Sequence, residues 1–382
     1  MISGKQEPIG LYIHIPFCVS KCRYCDFPSF SGMQEYFDDY AEAMCREMKM
    51  IRERHGTLPV DTVYCGGGTP SLLSVEQITK IINTMSEMFI IKKNSEITIE
   101  ANPGTVTAEK AKAYRELSFN RISIGLQAAQ NKLLRFMGRI HTADMFINCI
   151  DLVKDYGFYN INADIIFGIP TQTMEDWNKT LQIIGKIDIT HVSCYSLKLE
   201  ENTLWYDMDR KGILPPVDDI LEREMCYRAV SSLEQSGFYQ YEVSNFSKPG
   251  FESKHNSKYW SGLPYIGIGA AAHSFMGNVR TANITNPIEY IQCIKKDNLP
   301  QAIGNEVGFE ERLSERLILG LRFIKGVSLD QLLQEFGWKA LSGHIQKIEL
   351  LKKRNLVSVD GGMLKLTRKG LDYANQVWME FL

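Results

Sequence analysis

Before residue 200 a short apolar strand pattern gives way to helical periodicity again and again. That alternation limits the chain to folds built on a parallel sheet flanked by helices. Strand patterns cover Gly10–Ile15, Asp61–Cys65, Glu96–Ala101, Arg121–Leu126, Ile161–Phe167 and His191–Leu197. The spacing predicts a helix over Gln34–Arg54, where Tyr36, Tyr40, Met44 and Met48 recur four apart. Further helices are predicted over Val75–Met88 behind the cap Ser74, over Ala108–Leu117 behind Thr107, in segments up to about Gly157, and near Met174–Gly185. Right-handed crossovers would curl six such units into a partial (β/α)6 barrel, with an open doubly wound sheet as the alternative. Polar groups favour the barrel, because they gather at or near the C-terminal ends of strands, where barrel enzymes place their chemistry. These are Gly66-Gly67-Gly68-Thr69-Pro70, Glu100-Ala101-Asn102, Ser123 and Gln127, and Asp164.

The texture changes near residue 301. Helical patterns over Leu313–Ile324, Ser328–Phe336 and Leu341–Asn355 precede two short strand patterns, Leu356–Val359 and Met363–Thr367, joined by the turn Asp360-Gly361-Gly362. This resembles a winged helix. The expected division is a barrel over residues 1–240, a connecting region packed on it over 241–300, and an accessory α+β domain over 301–382. A net charge of -2 supplies no basic surplus for a nucleic-acid backbone, so no nucleic-acid partner is expected. The start, MISGKQEPIG, is polar, and no run nears the roughly 18 apolar residues of a spanning helix. The chain is expected to be cytoplasmic, with a peripheral membrane contact left open.

Nine cysteines without a secretory signal suit a reducing compartment, where clustered thiols bind metal more often than they pair. Cys45, Cys65, Cys149, Cys194, Cys226 and Cys293 are scattered among apolar neighbours and read as small buried hydrophobes. Cys18, Cys22 and Cys25 stand together as C-x3-C-x2-C. Three thiolates hold three corners of a cubane cluster and leave the fourth iron open. Zinc is the alternative, with His14 or Asp26 as the fourth ligand. Spacing does not decide between them.

The cysteine loop with Tyr24 before its last thiol, followed by GGGTP, resembles the radical S-adenosylmethionine superfamily. YIHIPFC, GGGTPS, IEANPGT, RISIGLQ, MGRIHT and NADIIFGIP are similar to the branch that holds oxygen-independent coproporphyrinogen III oxidase and the heme chaperones. The resemblance implies a [4Fe–4S] cluster on Cys18, Cys22 and Cys25. Its open iron would take S-adenosylmethionine, which one electron cleaves to a 5'-deoxyadenosyl radical. By the same resemblance Tyr12, Tyr24, Gly67, Gly68, Thr69, Glu100, Gln127, Arg139 and Asp164 line the S-adenosylmethionine site. His141 reads as a solvated residue at a helix start.

Within that branch the oxidase resembles C-x3-C-x2-C-x-C, and here the last position is Phe27. The oxidase also carries an arm ahead of its first strand, for which Gly10 leaves no room. His255-Asn256-Ser257-Lys258-Tyr259-Trp260 matches the H-N-x-x-Y-W motif of the chaperone side. It offers His255 as an axial heme ligand beside two aromatic rings, with His273 as a second candidate. The alternative is a loop-holding histidine. The run GIGAAAHSF contains G-x-G but follows no first strand of a βαβ unit, so a dinucleotide site is rejected. Glu201 stands where the family often has proline. The expected function is to bind heme and pass it to acceptor proteins. The oxidase, or another tetrapyrrole-modifying enzyme, is the second reading, and a zinc-bearing DNA-binding protein the third.

Overall fold

The structure is a computed structural model that describes residues 7–382; the reading of the polar start lies in part outside them. Six strands form in the predicted order: β1 (Ile9–Ile15), β2 (Pro59–Gly67), β3 (Ile90–Ala101), β4 (Arg121–Gln127), β5 (Asn160–Phe167) and β6 (His191–Ser196). Each pairs in parallel with the next. The intervening helices include α1 (Phe37–His55), α2 (Val75–Met88), α3 (Ala108–Glu116), α4 (Asn131–Phe136), α5 (Ala143–Asp155) and α6 (Met174–Lys186). Their starts are fixed where a hydroxyl satisfies a free backbone N–H. Ser74 accepts from Gln77 in a capping box, Thr107 from Lys110 and Thr142 from Met145. The predicted helix at Gln34 opens instead as one 3-10 turn, Gln34–Tyr36, and α1 ends where Gly56 turns to φ 73°.

Leu11, Ile13 and Ile15 face the α1 side and join the large core. The alternate residues Tyr12, Tyr64, Glu100, Arg121 and Asp164 fill the barrel interior, so its lumen is polar and aromatic.

Beyond β6 lie α7 (Leu204–Arg210), α8 (Asp219–Gln235), β7 (Tyr239–Glu242), β8 (Asn245–Ser247), α9 (Lys254–Trp260), β9 (Tyr265–Ile268), β10 (His273–Met276), β11 (Val279–Asn283), α10 (Pro287–Lys295) and β12 (Gln301–Glu306). The sheet has twelve strands in the order β12-β11-β10-β9-β1-β2-β3-β4-β5-β6-β8-β7. This corrects the expected connecting region. Residues 241–300 do not merely pack on the barrel: β9 adds a parallel strand to β1, and the antiparallel β10, β11 and β12 continue the sheet past residue 300.

The turn after β9 is held from α1. The buried Glu47 carboxylate accepts from Gly269 N–H (2.8 Å), Asn283 Nδ2 (2.7 Å) and Tyr290 Oη (2.6 Å). Tyr40 Oη accepts from Ala270 N–H (2.8 Å). Burial pushes the Glu47 carboxyl up to about 7 from its ordinary 4.5, against the pull of those donors. Folded protein therefore holds a proton there that unfolded protein releases between these values, and stability falls as pH rises through that window. Thermal unfolding at about pH 5 and about pH 8 should show this slope, and Glu47→Gln should flatten it while costing about 1–3 kcal/mol through mismatched hydrogen bonds. An unchanged slope in the variant would assign it elsewhere.

The C-terminal part has its own core, including Leu313, Leu332, Leu351, Leu364 and Phe381. α11 (Phe309–Gly320) precedes β13 (Val327–Ser328) and α12 (Leu329–Lys353), which breaks at Gly337 (φ 77°) into the two predicted helices. The predicted hairpin is present as β14 (Val357–Asp360) and β15 (Met363–Leu366). Arg280 binds Glu315 through two hydrogen bonds (2.9 and 3.0 Å), and Arg322 lies 4.0 Å over the Trp260 ring, tying this part to the sheet. Among the described residues no helix is long and apolar enough to cross a membrane.

Candidate functional site

The cysteine loop leaves β1 at the rim where the other parallel strands end. A short parallel bridge, Phe17–Cys18 against Phe30–Ser31, pinches it closed. His14 anchors it from within: Nε2 donates to the Pro28 carbonyl (3.0 Å), which leaves Nδ1 to accept from Tyr12 Oη (2.9 Å). Burial lowers the His14 pKa to about 4, consistent with a neutral ring. On its far side the loop is fixed by Arg23 N–H on the Met137 carbonyl (3.1 Å) and by Trp205 N–H on the Arg23 carbonyl (2.9 Å).

Cys18, Cys22 and Cys25 are all free and half-buried on this loop. Burial raises the Cys22 and Cys25 thiols, and the neighbouring thiols add to it; Arg139 works the other way on Cys22. The three thiols lie near enough to act on one another, Cys18 on Cys22 and both on Cys25. A cation is what would favour three thiolates side by side. Zinc through His14 does not fit, since both ring nitrogens are engaged.

The loop's neighbours form one hydrogen-bonded chain. Cys18 Sγ lies 3.6 Å from Thr69 Oγ1, which accepts from Asn102 Nδ2 (2.9 Å). Asn102 Oδ1 accepts from Arg139 (2.9 Å), and Arg139 also donates to Tyr24 Oη (2.8 Å). Burial works against the Arg139 charge, but Tyr24 and Cys22 outweigh it; burial pushes the Tyr24 hydroxyl up to about 12. Arg139 Nε and Gln127 Oε1 are buried without a partner, two polar atoms with capacity for a polar ligand. Gln127 sits at φ 61°, an uncommon backbone state that ends β4 and folds its side chain back over Gly125.

Glu100 accepts from Tyr64 Oη (2.7 Å) and from Gly67 N–H (3.1 Å). Burial raises its carboxyl to about 7, and the Asp164 charge adds to this. Asp164 accepts from Ser123 (3.1 Å) and Asn162 (2.8 Å). The glycines serve the loop first. A Cβ at Gly67 would stand 2.5 Å from the His14 ring, and one at Gly68 2.6 Å from the Phe17 carbonyl. Backbone cannot yield as a side chain does, so Gly68→Ala should cost about 1–3 kcal/mol and displace Cys18. Unfolding midpoints and iron content measure this; unchanged values in both would contradict the packing argument.

One expectation fails on burial. His141 is not solvated: it is buried, its Nε2 is 3.3 Å from the Leu126 carbonyl, and burial lowers its pKa to about 4. His255, offered as an axial heme ligand or as a loop-holding histidine, here has the surroundings of the second. It is 0% exposed at the opposite, N-terminal end of the barrel, with Nδ1 on Thr62 Oγ1 (3.0 Å) and Nε2 on Tyr259 Oη (2.7 Å). One nitrogen of the neutral ring carries the proton and the other accepts from a hydroxyl, and burial lowers the pKa to about 3. Glu96 holds the motif's helix by accepting from Lys254 N–H (3.1 Å) and His255 N–H (3.0 Å). Asn102, Tyr64 and His14 were missed as supports of the site, although Asn102 ends the same Glu-Ala-Asn triplet that pointed to Glu100.

Phe27 is 58% exposed beside the cysteine loop and supplies no ligand. Of the scattered cysteines Cys45, Cys65, Cys149 and Cys194 are buried, whereas Cys226 and Cys293 are only half-buried.

A model of the radical SAM superfamily matches residues 12–184, and one of the HemN C-terminal domain matches residues 310–373. The heme chaperone HemW of Bacillus subtilis (strain 168) is 36% identical over 375 residues, covering 97% of this chain and 98% of that protein. That of Lactococcus lactis subsp. lactis (strain IL1403) is 33% identical, covering 99% and 98%. Among solved structures, coproporphyrinogen III oxidase (HemN) from Escherichia coli superposes with a TM-score of 0.87 over 98% of this chain and 90% of that one, at 22% identity. That last likeness is one of fold. The radical SAM superfamily implies S-adenosylmethionine and a [4Fe–4S] cluster. With relatives alike from end to end, the chain belongs to the HemW family of radical S-adenosylmethionine proteins.

Proposed function

We propose that this chain is a cytoplasmic heme chaperone, which binds heme together with an S-adenosylmethionine-liganded [4Fe–4S] cluster and delivers heme to acceptor proteins. The observation that carries the reading is likeness over nearly the whole chain to proteins named heme chaperones. In this reading Cys18, Cys22 and Cys25 hold the cluster, whose open iron supplies one-electron chemistry to bound S-adenosylmethionine. Arg139 and Gln127 offer their unpartnered atoms to that ligand, Glu100 and Asp164 are acceptors for its amine and hydroxyls, and Tyr12, Tyr24 and Thr69 border it. Gly67 and Gly68 let the cysteine loop close on the strand ends. The part beyond about residue 307, with its separate core, is the accessory domain.

Anaerobic reconstitution tests this. The protein should take up about four irons with matching sulfide, and S-adenosylmethionine should perturb the reduced cluster's paramagnetic resonance spectrum. Added heme should bind, and coproporphyrinogen III should yield no protoporphyrinogen IX, because Phe27 stands where the oxidase pattern has a cysteine. Product formation would make the oxidase reading correct, and stoichiometric zinc without iron would remove the cluster.

A further inference from the structure

Arg139 fixes the direction of every hydrogen bond between itself and Cys18. A guanidinium donates and never accepts. The Asn102 side-chain atom that meets Arg139 at 2.9 Å is therefore the amide oxygen, and the amide nitrogen is turned to Thr69 Oγ1 (2.9 Å). The Asn102 backbone is itself held: its N–H donates to Ser71 Oγ (3.3 Å), and its carbonyl accepts from Thr105 N–H (3.1 Å) and Thr105 Oγ1 (2.7 Å). The same guanidinium donates to Tyr24 Oη (2.8 Å), beside Cys25, so it reaches both ends of the cysteine loop.

Thr69 Oγ1 thus accepts from Asn102 and keeps its own hydrogen to give. Thr69 is buried, and among the described residues its other side-chain partner is Cys18 Sγ, 3.6 Å away. A free thiol could donate in return. A metal-bound thiolate has no proton, so with iron in place the hydroxyl is the donor. Hydrogen bonds to the sulfurs help to set the reduction potential of an iron–sulfur cluster, because they offset the charge that an added electron brings.

We propose that Asn102 and Thr69 are positioning residues for the cluster: the amide, oriented by Arg139, turns the Thr69 hydroxyl onto Cys18 Sγ and raises the cluster's reduction potential. This rests on the cluster-binding part of the reading above. Potentiometric titration of the reconstituted full chain, followed by the paramagnetic resonance signal of the reduced cluster, tests it. Thr69→Val removes the hydroxyl and nearly keeps the shape. It should retain about four irons per chain and disfavour reduction about tenfold, about 59 mV for one electron. Thr69→Ser should return the potential to that of the unaltered chain. Asn102→Asp keeps an acceptor for Arg139 but presents a second acceptor to Thr69, which draws the hydroxyl away from Cys18. The potential should fall there too, and adding Thr69→Val to Asn102→Asp should move it little further. The new carboxylate is present on both sides of that last comparison, so its charge cancels. An undiminished effect of Thr69→Val in the Asn102→Asp background would mean that the amide does not orient the hydroxyl, and would overturn the proposal. A potential unchanged in Thr69→Val alone would overturn it too. Loss of iron from both single variants would make the pair structural, with the same consequence. An unaltered chain that assembles no cluster removes the cluster reading itself, and this assignment with it.

Discussion

Replacing Cys18, Cys22 and Cys25 together by alanine is expected to take iron and sulfide uptake from about four per chain to none while the protein stays folded. The loop supports this separation. Its backbone is held by the Phe17–Cys18 bridge, by His14 on Pro28, and by Arg23 and Trp205, none of which uses a thiol. The thiols themselves are only half-buried, so each replacement leaves little cavity behind. The chain Thr69–Asn102–Arg139–Tyr24 also survives, losing only its contact to Cys18. Heme affinity should stay within a few-fold of the unaltered chain, because the replaced thiols lie on one loop whose backbone holds without them. Iron analysis, circular dichroism and heme titration on one preparation decide the matter. Joint loss of secondary structure and heme binding would mean that the thiols are structural; residual stoichiometric iron would place the cluster elsewhere.

The sequence displayed the parallel strands because their apolar residues recur between capped helices; Ser74 and Thr107 cap where their spacing indicated. It did not display β9. Tyr265–Ile268 is a short run beside the glycine-rich GIGAAAH stretch, and its pairing with β1 spans some 250 residues, a contact no local pattern encodes. The rim residues were legible as polar groups at strand ends, and Thr69, Tyr24 and Arg139 do meet in one hydrogen-bonded chain. The motif at His255 left two readings open for a physical reason. A histidine beside Tyr and Trp has the same side chains whether it faces a ligand or a barrel floor, and only Thr62, far away in sequence, occupies its second nitrogen. His141 did mislead, since a helix-start position says nothing of the Leu126 carbonyl beneath it.

The barrel floor and the rim meet at Arg121, whose loss should be the most destabilising single change in the lumen. Its side chain is 1% exposed, and two of its nitrogens, Nε and one terminal nitrogen, have no hydrogen-bond partner. Burial works to discharge the guanidinium, but Glu96, Tyr64, Tyr241 and Asp164 together hold its pKa above the ordinary value. Arg121 thus faces both the carboxylate that anchors the floor helix and a carboxylate of the candidate site. Arg121→Met keeps much of the volume and removes the charge, leaving the buried Glu96 and the half-buried Asp164 without it. Breaking buried charge compensation in this way costs about 3–5 kcal/mol. Arg121 also holds the Glu100 carboxyl down against burial, so its loss should raise that carboxyl further above its ordinary value. Stability contributed by the Glu100 proton is lost as pH rises, so the defect should deepen from about pH 5 to about pH 8. Adding Glu96→Gln should recover part of the loss, because one of the stranded charges is then gone. Denaturant midpoints of the single and double variants at both pH values measure this. A loss under about 1 kcal/mol with no pH dependence would mean that the lumen holds its carboxylates by hydrogen bonds alone.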